Sequence, residues 1–566
     1  MKAGRLASLW GWQHRVIAAA LSSLLSAATS ASAHRKGILT MPRLVAATLS
    51  ILFLATICSA KEIYIAQNAA GADIGTDCAN AHSAGWFNTA ANWGAGANQI
   101  SPGDTAHLCG TFTGTAGSTG LTPRASGTAA TPTVILFEPN AVMTAPYWGT
   151  NDGNAPTGGA IKISGVNYIT VDGGTNGTIQ NTLNGTPGGA CIGGPCSFKA
   201  ISAGIVISGC NTCEIRNLTI LKIYVHTGGS SDFMDATYGV YGSNTVNANI
   251  LIHHNTISDA GKTINLVYPS NQTSSNFRIY NNTLSRACWA IGIGDGNTNA
   301  ILNGLKIHDN DISDGYAWWD TGDYCHLNGM HIFAAASGST INNAEVYNNY
   351  HHGDWGGATY GRGHQTSAIR LAGLPGTMPG ALVYNNVVTQ PIAGDCPANG
   401  YIVFAPSGSG GAVYNNTIVG GAGPCGYGIQ IGFNTTNVTV KNNIVANVGR
   451  WIHVDTGSLA ASDNNLFYNS AWGFFYLGTA YTTLATWQAA GWDANSVVGN
   501  PNLNSTYHPL AGSTAIGLGA NLTSLGIAAL DFDKADVTRP GSGPWDAGAY
   551  QHSSTVPTTP MNVTVQ

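Results

Sequence analysis

Charged side chains are scarce in this sequence: Asp, Glu, Lys and Arg make up 9% of its 566 residues. Residues 1–60 hold six of the 22 basic side chains and none of the 27 acidic ones. The rest of the chain therefore has 16 basic and 27 acidic groups, a net charge of −11. Such a chain lacks the basic footprint of a nucleic-acid-binding protein, so we expect no nucleic-acid partner. It would also repel a polyanion at long range, and an acidic ligand would need a locally placed cation.

Long apolar runs and helical periodicity are also nearly missing. The apolar run at residues 44–57 is shorter than the ~20 residues of a typical membrane-spanning helix. Met41-Pro42-Arg43 precedes this run and Ser59-Ala60 follows it, which is the layout of a secretory signal, and residues 1–33 have the same layout. We therefore expect a signal region at 1–60, with Met41 as the true start and cleavage near Ala60. The protein would then be secreted, extracellular or periplasmic, without stable membrane insertion. A membrane-anchoring helix is the alternative.

A repeated Asn pair is the strongest pattern that is present. An apolar residue, a variable residue and Asn-Asn recur, as in Val346-Tyr347-Asn348-Asn349, and two variants extend the series. The second Asn of each copy falls at 255, 282, 310, 349, 386, 416 and 443, with Asn465 expected as the eighth. A repeat of this length is typical of a solenoid, in which each unit buries its apolar face against its neighbours. Asn suits the turn because it tolerates the left-handed backbone region and its amide can bond the same amide one coil away.

Short segments that alternate with period two lie upstream of the Asn pairs. In Ala368-Ile369-Arg370-Leu371-Ala372, the Ile and Leu side chains would point inward and Arg370 outward. Each coil thus has one strand with a variable outer face and a second strand that runs into the Asn turn. We expect the coils to stack these strands in register as parallel sheets.

Together these patterns resemble the right-handed parallel β-helix proteins of the pectate-lyase-like superfamily, of the secreted bacterial carbohydrate-active type. The resemblance covers residues 61–550 and implies an all-β fold, a single right-handed parallel β-helix solenoid with an Asn ladder. It further implies an N-terminal cap at 61–160, regular coils at 160–470, a C-terminal closing segment at 471–550 and a Thr/Pro-rich tail at 551–566. The fold does not fix the chemistry, because the same scaffold carries lyases, hydrolases, epimerases and non-catalytic binding proteins.

Ten of the eleven cysteines lie outside the signal region, an even number that favours disulfides in an exported chain. Cys288 and Cys325 precede the outward-facing strand in successive coils, as do Cys396 and Cys425, so each pair should form stacked neighbours. The segment Cys210-Asn-Thr-Cys213 could be a redox or zinc motif, but no second matching pair accompanies it. We therefore expect structural disulfides and no thiol chemistry.

Two long loops indicate where function is placed. The gaps between ladder Asn residues widen at 310–349 and 349–386, so loops leave the coils before the strands of His331 and Arg370. Insertions in a solenoid usually lie on the binding face. These segments concentrate polar and aromatic residues: Trp318, Trp319, Asp320, Asp323, His326, His351, His352, Asp354, Trp355, Tyr360, Arg362 and His364.

Alignment of the outward-facing strands predicts one row of side chains across the coils. The row is Lys162, Val206, Tyr241, Asn265, Gly292, His331, Arg370, Val403, Gln430 and His453. Because coils are about 4.8 Å apart, His331 and Arg370 should be adjacent, and Gly292 should leave an open patch beside them. We interpret this as a groove with a base beside a cation, in which Tyr241 and Asn265 touch neighbouring sugar units. The alternative is that His331 and Arg370 merely line a solvated sheet.

Such a groove suits β-elimination of a uronate-containing polysaccharide. Arg370 would neutralise the carboxylate, since its charge is permanent and its fork matches a carboxylate. His331 would be the general base, and His326, His364 or Tyr360 would protonate the leaving oxygen. Sugar would be bound by Trp318, Trp319, Trp355, Arg362, His351 and His352. No cofactor is certain. Calcium could be held by Asp320, Asp323 and Asp354, although no ordered ligand spacing supports it.

Hydrolysis on the same fold is the first alternative. It needs two carboxyl groups across the scissile bond. Asp320, Asp323, Asp354 and Asp295 are candidates, but none occupies the row beside His331, and Asp309 and Asp311 are interpreted as solvent-facing turn residues. The imidazoles of His326 and His331, with the carboxylates of Asp320 and Asp323, could instead bind a transition metal. A non-catalytic carbohydrate-binding or cell-surface protein is the second alternative. We expect a monomer.

Overall fold

The computed structural model describes residues 60–149, 155–183, 201–224, 237–294, 296–315, 327–355, 366–390, 392, 397, 399–421 and 424–552. Within these residues the chain consists mainly of short strands that stack coil upon coil in two large sheets. Among the described strands every pairing is parallel except that of Phe474–Tyr476 with Thr479–Tyr481. The all-β solenoid expected from the sequence is therefore confirmed.

The first sheet holds the strands that run into the Asn turns. Its 15 strands are Glu62–Ala66, His82–Ser83, Thr105–Cys109, Thr133–Phe137, Ile169–Asp172, Asn211–Arg216, Ala248–His253, Thr273–Tyr280, Ile301–His308, Thr340–Tyr347, Leu382–Tyr384, Gly408–Ser409, Ala412–Tyr414, Thr435–Lys441 and Gly457–Asp463.

The second sheet holds the strands that follow the Asn turns and the strands with the outward row. Its 22 strands are Thr111–Thr113, Val142–Ala145, Ile161–Ser164, Thr178–Asn181, Ser202–Ser208, Thr219–Leu221, Thr237–Gly242, Thr256–Leu266, Thr283–Ile293, Asp311–Gly315, Asn328–Ala334, Tyr350–His352, Ser367–Gly373, Val387–Thr389, Gly400–Ala405, Thr417–Val419, Cys425–Ile431, Ile444–Val454, Leu466–Ser470, Phe474–Tyr476, Thr479–Tyr481 and Val497–Val498. Helix in the described residues is limited to Ala84–Phe87, Leu484–Ala489 and three single 3-10 turns at Cys78–Asn80, Ala90–Asn92 and Thr523–Leu525.

The core is a set of apolar stacks that run from coil to coil. One stack consists of register partners that are all fully buried: Ile264, Ile291, Met330, Ile369, Ile402, Ile429 and Ile452. Burying each such side chain contributes about 1.5–3 kcal/mol relative to leaving it exposed. Period-two alternation then forces the residues between these positions onto the opposite, outer face.

The two residues of each Asn pair have separate roles. The first lies in the left-handed backbone region, with φ between 48° and 61° from Asn281 to Asn464. The second is buried and donates its Nδ2 to the Oδ1 of the next one, as from Asn310 to Asn349 at 2.9 Å. The chain of bonds continues through Asn443 to Asn465 at 3.0 Å, so the eighth position is confirmed.

The C-terminal residues run along the first Asn of each pair. Asn385 donates its side-chain amide to the carbonyl of Phe532 at 2.8 Å, and Asn442 donates to the carbonyl of Ala520 at 2.9 Å. Trp545 is buried against the stacked rings of Tyr384 and its neighbours. The row of left-handed Asn residues therefore both shapes the turns and anchors the closing segment.

Disulfides join Cys78 to Cys109 and Cys210 to Cys213. The redox or zinc interpretation of Cys210 and Cys213 is not supported, because both side chains are buried and bonded to each other. Cys288 and Cys425 are also disulfide-bonded, while their predicted partners, Cys325 and Cys396, lie outside the described residues. Over the described part of the chain, no helix combines the length and apolarity needed to cross a membrane.

Candidate functional site

The predicted outward row is confirmed along its full length from Lys162 to His453. His331 and Arg370 are direct register partners on adjacent strands. Both side chains are partly exposed, whereas Met330 and Ile369, the preceding residues, are fully buried. The imidazole and the guanidinium therefore lie on the same outer face, as a shared site requires.

Aromatic rings fix the position of His331. Its ring centroid lies 4.5 Å from that of Trp289 and 4.7 Å from that of Phe333. The ammonium of Lys262 lies over the Trp289 ring at 3.9 Å from its centroid. Lys262 and Trp289 are register partners one coil apart, three positions before the outward row. We call these four residues the His331 cluster; its rings hold the imidazole at the surface and its ammonium adds positive charge two coils away.

The predicted open patch at Gly292 is wrong. A Cβ atom at Gly292 would lie 2.3 Å from Asn265 Oδ1 and 2.9 Å from Trp289 Cε3. The amide of Asn265 and the indole of Trp289 therefore occupy the space that the missing side chain leaves. Tyr241 and Asn265 are in the row as predicted, but they are only 5% and 4% exposed, so they offer almost no surface to a sugar.

Arg370 is a half-buried cation, and burial lowers its pKa. Its guanidinium carbon lies 5.5 Å from the centroid of the Phe433 ring, which follows the strand two coils further on. The guanidinium thus extends away from His331 along the solenoid axis. No carboxylate among the described residues forms an ion pair with Arg370. A desolvated cation of this kind is suited to an anionic ligand.

A pocket of about 190 Å³ opens beside this guanidinium, and we call it the Arg370 pocket. Its lining consists of Arg370, Asn399, Val403, Ala405, Gln430, Gly432, Phe433, Asp455 and Thr456. Asp455 accepts a 2.7 Å hydrogen bond from Gln430 Nε2 and a short one from His453 Nε2. The pocket therefore has a cation at one end and a fixed carboxylate at the other.

Two of the residues predicted to bind sugar are in the interior instead. His351 and Trp355 are 2% and 0% exposed, with ring centroids 4.8 Å apart. His351 pairs in register with Ile312 and Val388, which shows that it occupies an inward position of a regular strand. Burial lowers the pKa of His351 to about 3, so this ring stays neutral. The prediction that these side chains bind sugar is therefore wrong.

His352 ends the short strand Tyr350–His352, which follows the Asn turn, and Asp354 lies just beyond it. His352 Nε2 is 2.6 Å from Asp311 Oδ1, and the His352 ring stacks on Tyr350. The backbone N–H of Asp354 donates to Asp314 Oδ1 at 2.9 Å. Among the described residues, no group of three or more His, Cys, Asp or Glu side chains could hold a metal ion. The backbone of Asp354 is thus bonded to the neighbouring coil, and Asp320 and Asp323, the other two predicted calcium ligands, lie outside the described residues.

A second pocket, of about 330 Å³, lies where the closing segment meets the Asn turns. It is lined by Asp309, Asn310, Asp311, Tyr350, Ser505, Thr506, Lys534 and Tyr550. Asp309 bonds His308 at 2.7 Å, as Asp311 bonds His352. The side chains of Asp309 and Asp311 are 35% and 50% exposed, in agreement with their interpretation as solvent-facing turn residues. Lys534 and Tyr550, from over 200 positions away, line the same pocket. No local pattern in the sequence announces such a contact.

The family comparison agrees with the observed architecture. Residues 377–487 match the family model described as the right handed beta helix region. This chain folds as a right-handed parallel β-helix. No curated protein sequence matches it.

Solved structures align with the β-helix at low identity. Pectate lyase Pel9A is 13% identical with a TM-score of 0.42, over 88% of this chain and 98% of that one. The GH136 lacto-N-biosidase from Eubacterium ramulus is 13% identical with a TM-score of 0.39, over 74% of this chain and 67% of that one. XylC, solved in complex with xylose, is 11% identical with a TM-score of 0.38, over 86% and 98% of the two chains. Likenesses this distant do not assign a substrate.

Eight predicted site residues lie outside the described part of the β-helix: His326, His364, Tyr360, Trp318, Trp319, Arg362, Asp320 and Asp323. The sequence missed the Lys262 and Trp289 contacts beside His331. Both residues lie three positions before the predicted row, where strict period-two alternation would place them on the inner face, so the alignment of repeats alone could not have found them.

Proposed function

We propose that this β-helix is a secreted carbohydrate-active enzyme that cleaves a uronate-containing polysaccharide by β-elimination at the face around His331 and Arg370. The observation that carries the proposal is Arg370: a half-buried, outward-facing guanidinium with no described anionic partner, in register with an imidazole. Removing a cation from water without a counter-charge is unfavourable, and an incoming carboxylate would offset that cost.

In this proposal Arg370 binds the uronate carboxylate and withdraws charge from it, which makes the proton at C5 more acidic. His331 accepts that proton, because an imidazole ordinarily titrates near neutral pH and the surrounding rings hold it in place. The electron pair of the C5–H bond forms the C4–C5 double bond as the C4–O bond breaks. The leaving oxygen takes a proton from a residue for which His326, His364 and Tyr360 are the proposed candidates.

The direct test is product analysis after incubation with alginate, pectate and glycosaminoglycans. Elimination creates an unsaturated uronate that absorbs in the ultraviolet, whereas hydrolysis gives reducing ends without that absorbance. We expect the absorbance with the wild type and its loss in Arg370→Ala. Lys162→Ala is the matched control, since Lys162 is a partly exposed cation of the same row, several coils from the site. Absorbance that persists unchanged in Arg370→Ala would reject the proposed site, and repeating the assay with a chelator tests the proposed calcium.

Secretion is part of the proposal. The signal layout of residues 1–60 supports it, and so do the disulfides, which form and persist in oxidising compartments. The N-terminal sequence of protein recovered from the culture medium should begin near Lys61. Intact residues 44–57 on membrane-bound protein would favour the anchoring helix instead.

Hydrolysis is a second candidate function because the second pocket places two carboxylates together, Asp309 and Asp311. Two carboxyl groups are the minimum set for most glycoside hydrolases. Reducing ends without ultraviolet absorbance, lost in Asp311→Asn and kept in Arg370→Ala, would favour this candidate. Neither product, with retained binding, would favour a non-catalytic carbohydrate-binding protein.

A further inference from the structure

The Arg370 pocket has the dimensions and lining of a single sugar subsite. Its volume of about 190 Å³ suits one pyranose ring together with its carboxylate. Val403 and Ala405 are buried in its floor and Phe433 forms an apolar wall. Apolar surface with a few placed polar groups is what a carbohydrate ring requires, since its faces are apolar and its edges carry hydroxyls.

The two ends of the pocket differ in charge. Arg370 stands at the end nearer His331, and Asp455 stands at the end towards the later coils. Asp455 is fixed by two hydrogen bonds, from Gln430 and from His453. The His453 ring is stacked between Tyr427 and Phe475, at centroid distances of 3.9 and 4.6 Å.

The negative charge of Asp455 is not cancelled by His453. Burial lowers the pKa of His453, against the opposing effect of Asp455, so the ring is neutral at neutral pH and donates a hydrogen bond without carrying charge. Gln430 is also neutral. Asp455 is therefore the charged group of the pocket lining at its later end. Arg450, whose charge also lowers the pKa of His453, does not line the pocket and donates to the Phe474 carbonyl.

We propose that the Arg370 pocket is a specificity subsite that holds one uronate on Arg370 and requires a neutral sugar on the side of Asp455. A second carboxylate there would meet a like charge at short range, which is unfavourable. The substrate class is then a heteroglycan in which uronates are separated by neutral sugars, rather than a homopolymer of uronate. The net charge of −11 outside the signal region acts in the same direction, because it disfavours the glycan with the higher charge density. This inference rests on the proposed lyase function and narrows its substrate.

The test compares two probes, polygalacturonate and unsulfated chondroitin, in which glucuronate alternates with a neutral amino sugar. Initial rates of unsaturated product are measured with the wild type and with Asp455→Asn, which removes the charge and keeps a side chain able to bond Gln430. We expect the wild type to prefer the alternating glycan in kcat/KM. In Asp455→Asn the preference should fall about tenfold, mainly because cleavage of polygalacturonate rises; tenfold corresponds to about 1.4 kcal/mol.

Asp73→Asn is the charge-matched control, because it removes an equal charge from the N-terminal cap, far along the chain from the subsite, and should leave the preference unchanged. Binding gives a second readout that needs no turnover: in the His331→Ala background, Asp455→Asn should tighten binding of oligogalacturonate and not of chondroitin oligosaccharides.

An unchanged preference in Asp455→Asn, with elimination still lost in Arg370→Ala, would overturn the subsite while leaving the proposed lyase function intact. Elimination that survives in Arg370→Ala would overturn both. A wild type that prefers polygalacturonate would also overturn the subsite, whatever the effect of Asp455→Asn.

Discussion

The proposed function depends most on Arg370, because no structural role accounts for the environment of its guanidinium. Other buried cations have partners: Arg539, for example, donates to Gln551 Oε1 at 2.7 Å and to Asn385 Oδ1 at 2.9 Å. Arg370 forms no comparable bond to a described residue and points into a pocket. A surface arginine that merely coats a solvated sheet would be expected to extend into water.

Substitution of Arg370 by lysine separates charge from shape. Arg370→Lys keeps a positive charge but loses the planar fork that pairs with both carboxylate oxygens. We expect kcat/KM to fall by about 10–100-fold, equivalent to about 1.4–2.7 kcal/mol, and Arg370→Ala to fall further. Melting temperatures should stay nearly unchanged in both variants, since the outward side chain contributes little to the core. Equal activity of the lysine variant and the wild type would argue against carboxylate recognition here.

Glu214 should control acid stability on the opposite, non-catalytic sheet. A hydrogen bond from His253 lowers the pKa of Glu214 to about 2, with Arg216 adding to the effect against desolvation. A lowered carboxyl pKa stabilises the folded state above the unfolded pKa near 4.5, and that stabilisation is lost as the pH falls through about 2. After allowance for partial exposure, it contributes about 1–2 kcal/mol.

Glu214→Gln should therefore lower the melting temperature at pH 7, and the difference from the wild type should shrink between pH 5 and about pH 2. Glu62→Gln is the control, because Glu62 also bonds a histidine, His107, but its side chain is 55% exposed. If Glu214→Gln lowered the melting temperature equally at pH 3 and pH 7, the lowered pKa of Glu214 would not be the source of this stabilisation.

At the scale of the element, the Asn turn is where stability is concentrated. Asn349 accepts bonds from the backbone N–H and the side-chain amide of Asn310, and donates to the Ile307 carbonyl and to Asn386 Oδ1. All these groups are buried, so removing the amide leaves several of them unpaired.

We expect Asn349→Ala to lower the free energy of unfolding by about 2–4 kcal/mol, measured by denaturant titration. Asn342→Ala is the matched control in the same coil, because its bond to Asn303 at 2.8 Å is exposed. Its effect should stay below about 0.5 kcal/mol. Similar losses of unfolding free energy in both variants would mean that burial of the Asn ladder does not determine its contribution to stability.

The sequence alone predicted the register of the strands but not every side-chain position on them. Period-two alternation gave the register of the outward row because a slip by one residue would turn Ile and Leu to solvent. The second position of each repeat looked variable in sequence, yet it stacks His253, Tyr280, His308, Tyr347 and Tyr384 at centroid distances of 4.6–5.0 Å. His351 was mistaken for a loop residue because a histidine in an inward position breaks the apolar pattern. Its burial is decided by neighbouring coils, which local sequence does not show.

For the whole molecule, the solenoid was predictable, whereas the pockets were not. The Asn repeat alone implied a stack of coils, since no single coil buries its apolar face. The Arg370 pocket instead combines side chains from four successive coils, and the second pocket combines coil residues with the distant Lys534. Side-chain direction determines both, and alignment of repeats fixes only where each Cα lies.

The net negative charge makes a prediction for the whole molecule. Outside residues 1–60 the chain carries 16 basic and 27 acidic groups, so an anionic glycan is repelled at long range. Salt screens this repulsion, with a Debye length of about 10 Å at 0.1 M. We expect kcat/KM for a uronate glycan to rise with ionic strength at low salt. If kcat/KM instead fell steeply as the salt concentration was raised from its lowest value, the glycan would be attracted by a larger basic surface than the described residues provide.

The central claim is that the guanidinium of Arg370 recognises a glycan carboxylate, and a binding cycle tests it most directly. Affinities of a uronate oligosaccharide and of its carboxyl-reduced form are measured for His331→Ala and for the double variant that also carries Arg370→Ala. In the first protein the reduced glycan should bind about 10–100-fold more weakly, and in the double variant the two glycans should bind alike. An equal preference for the carboxylate in both proteins would contradict the account.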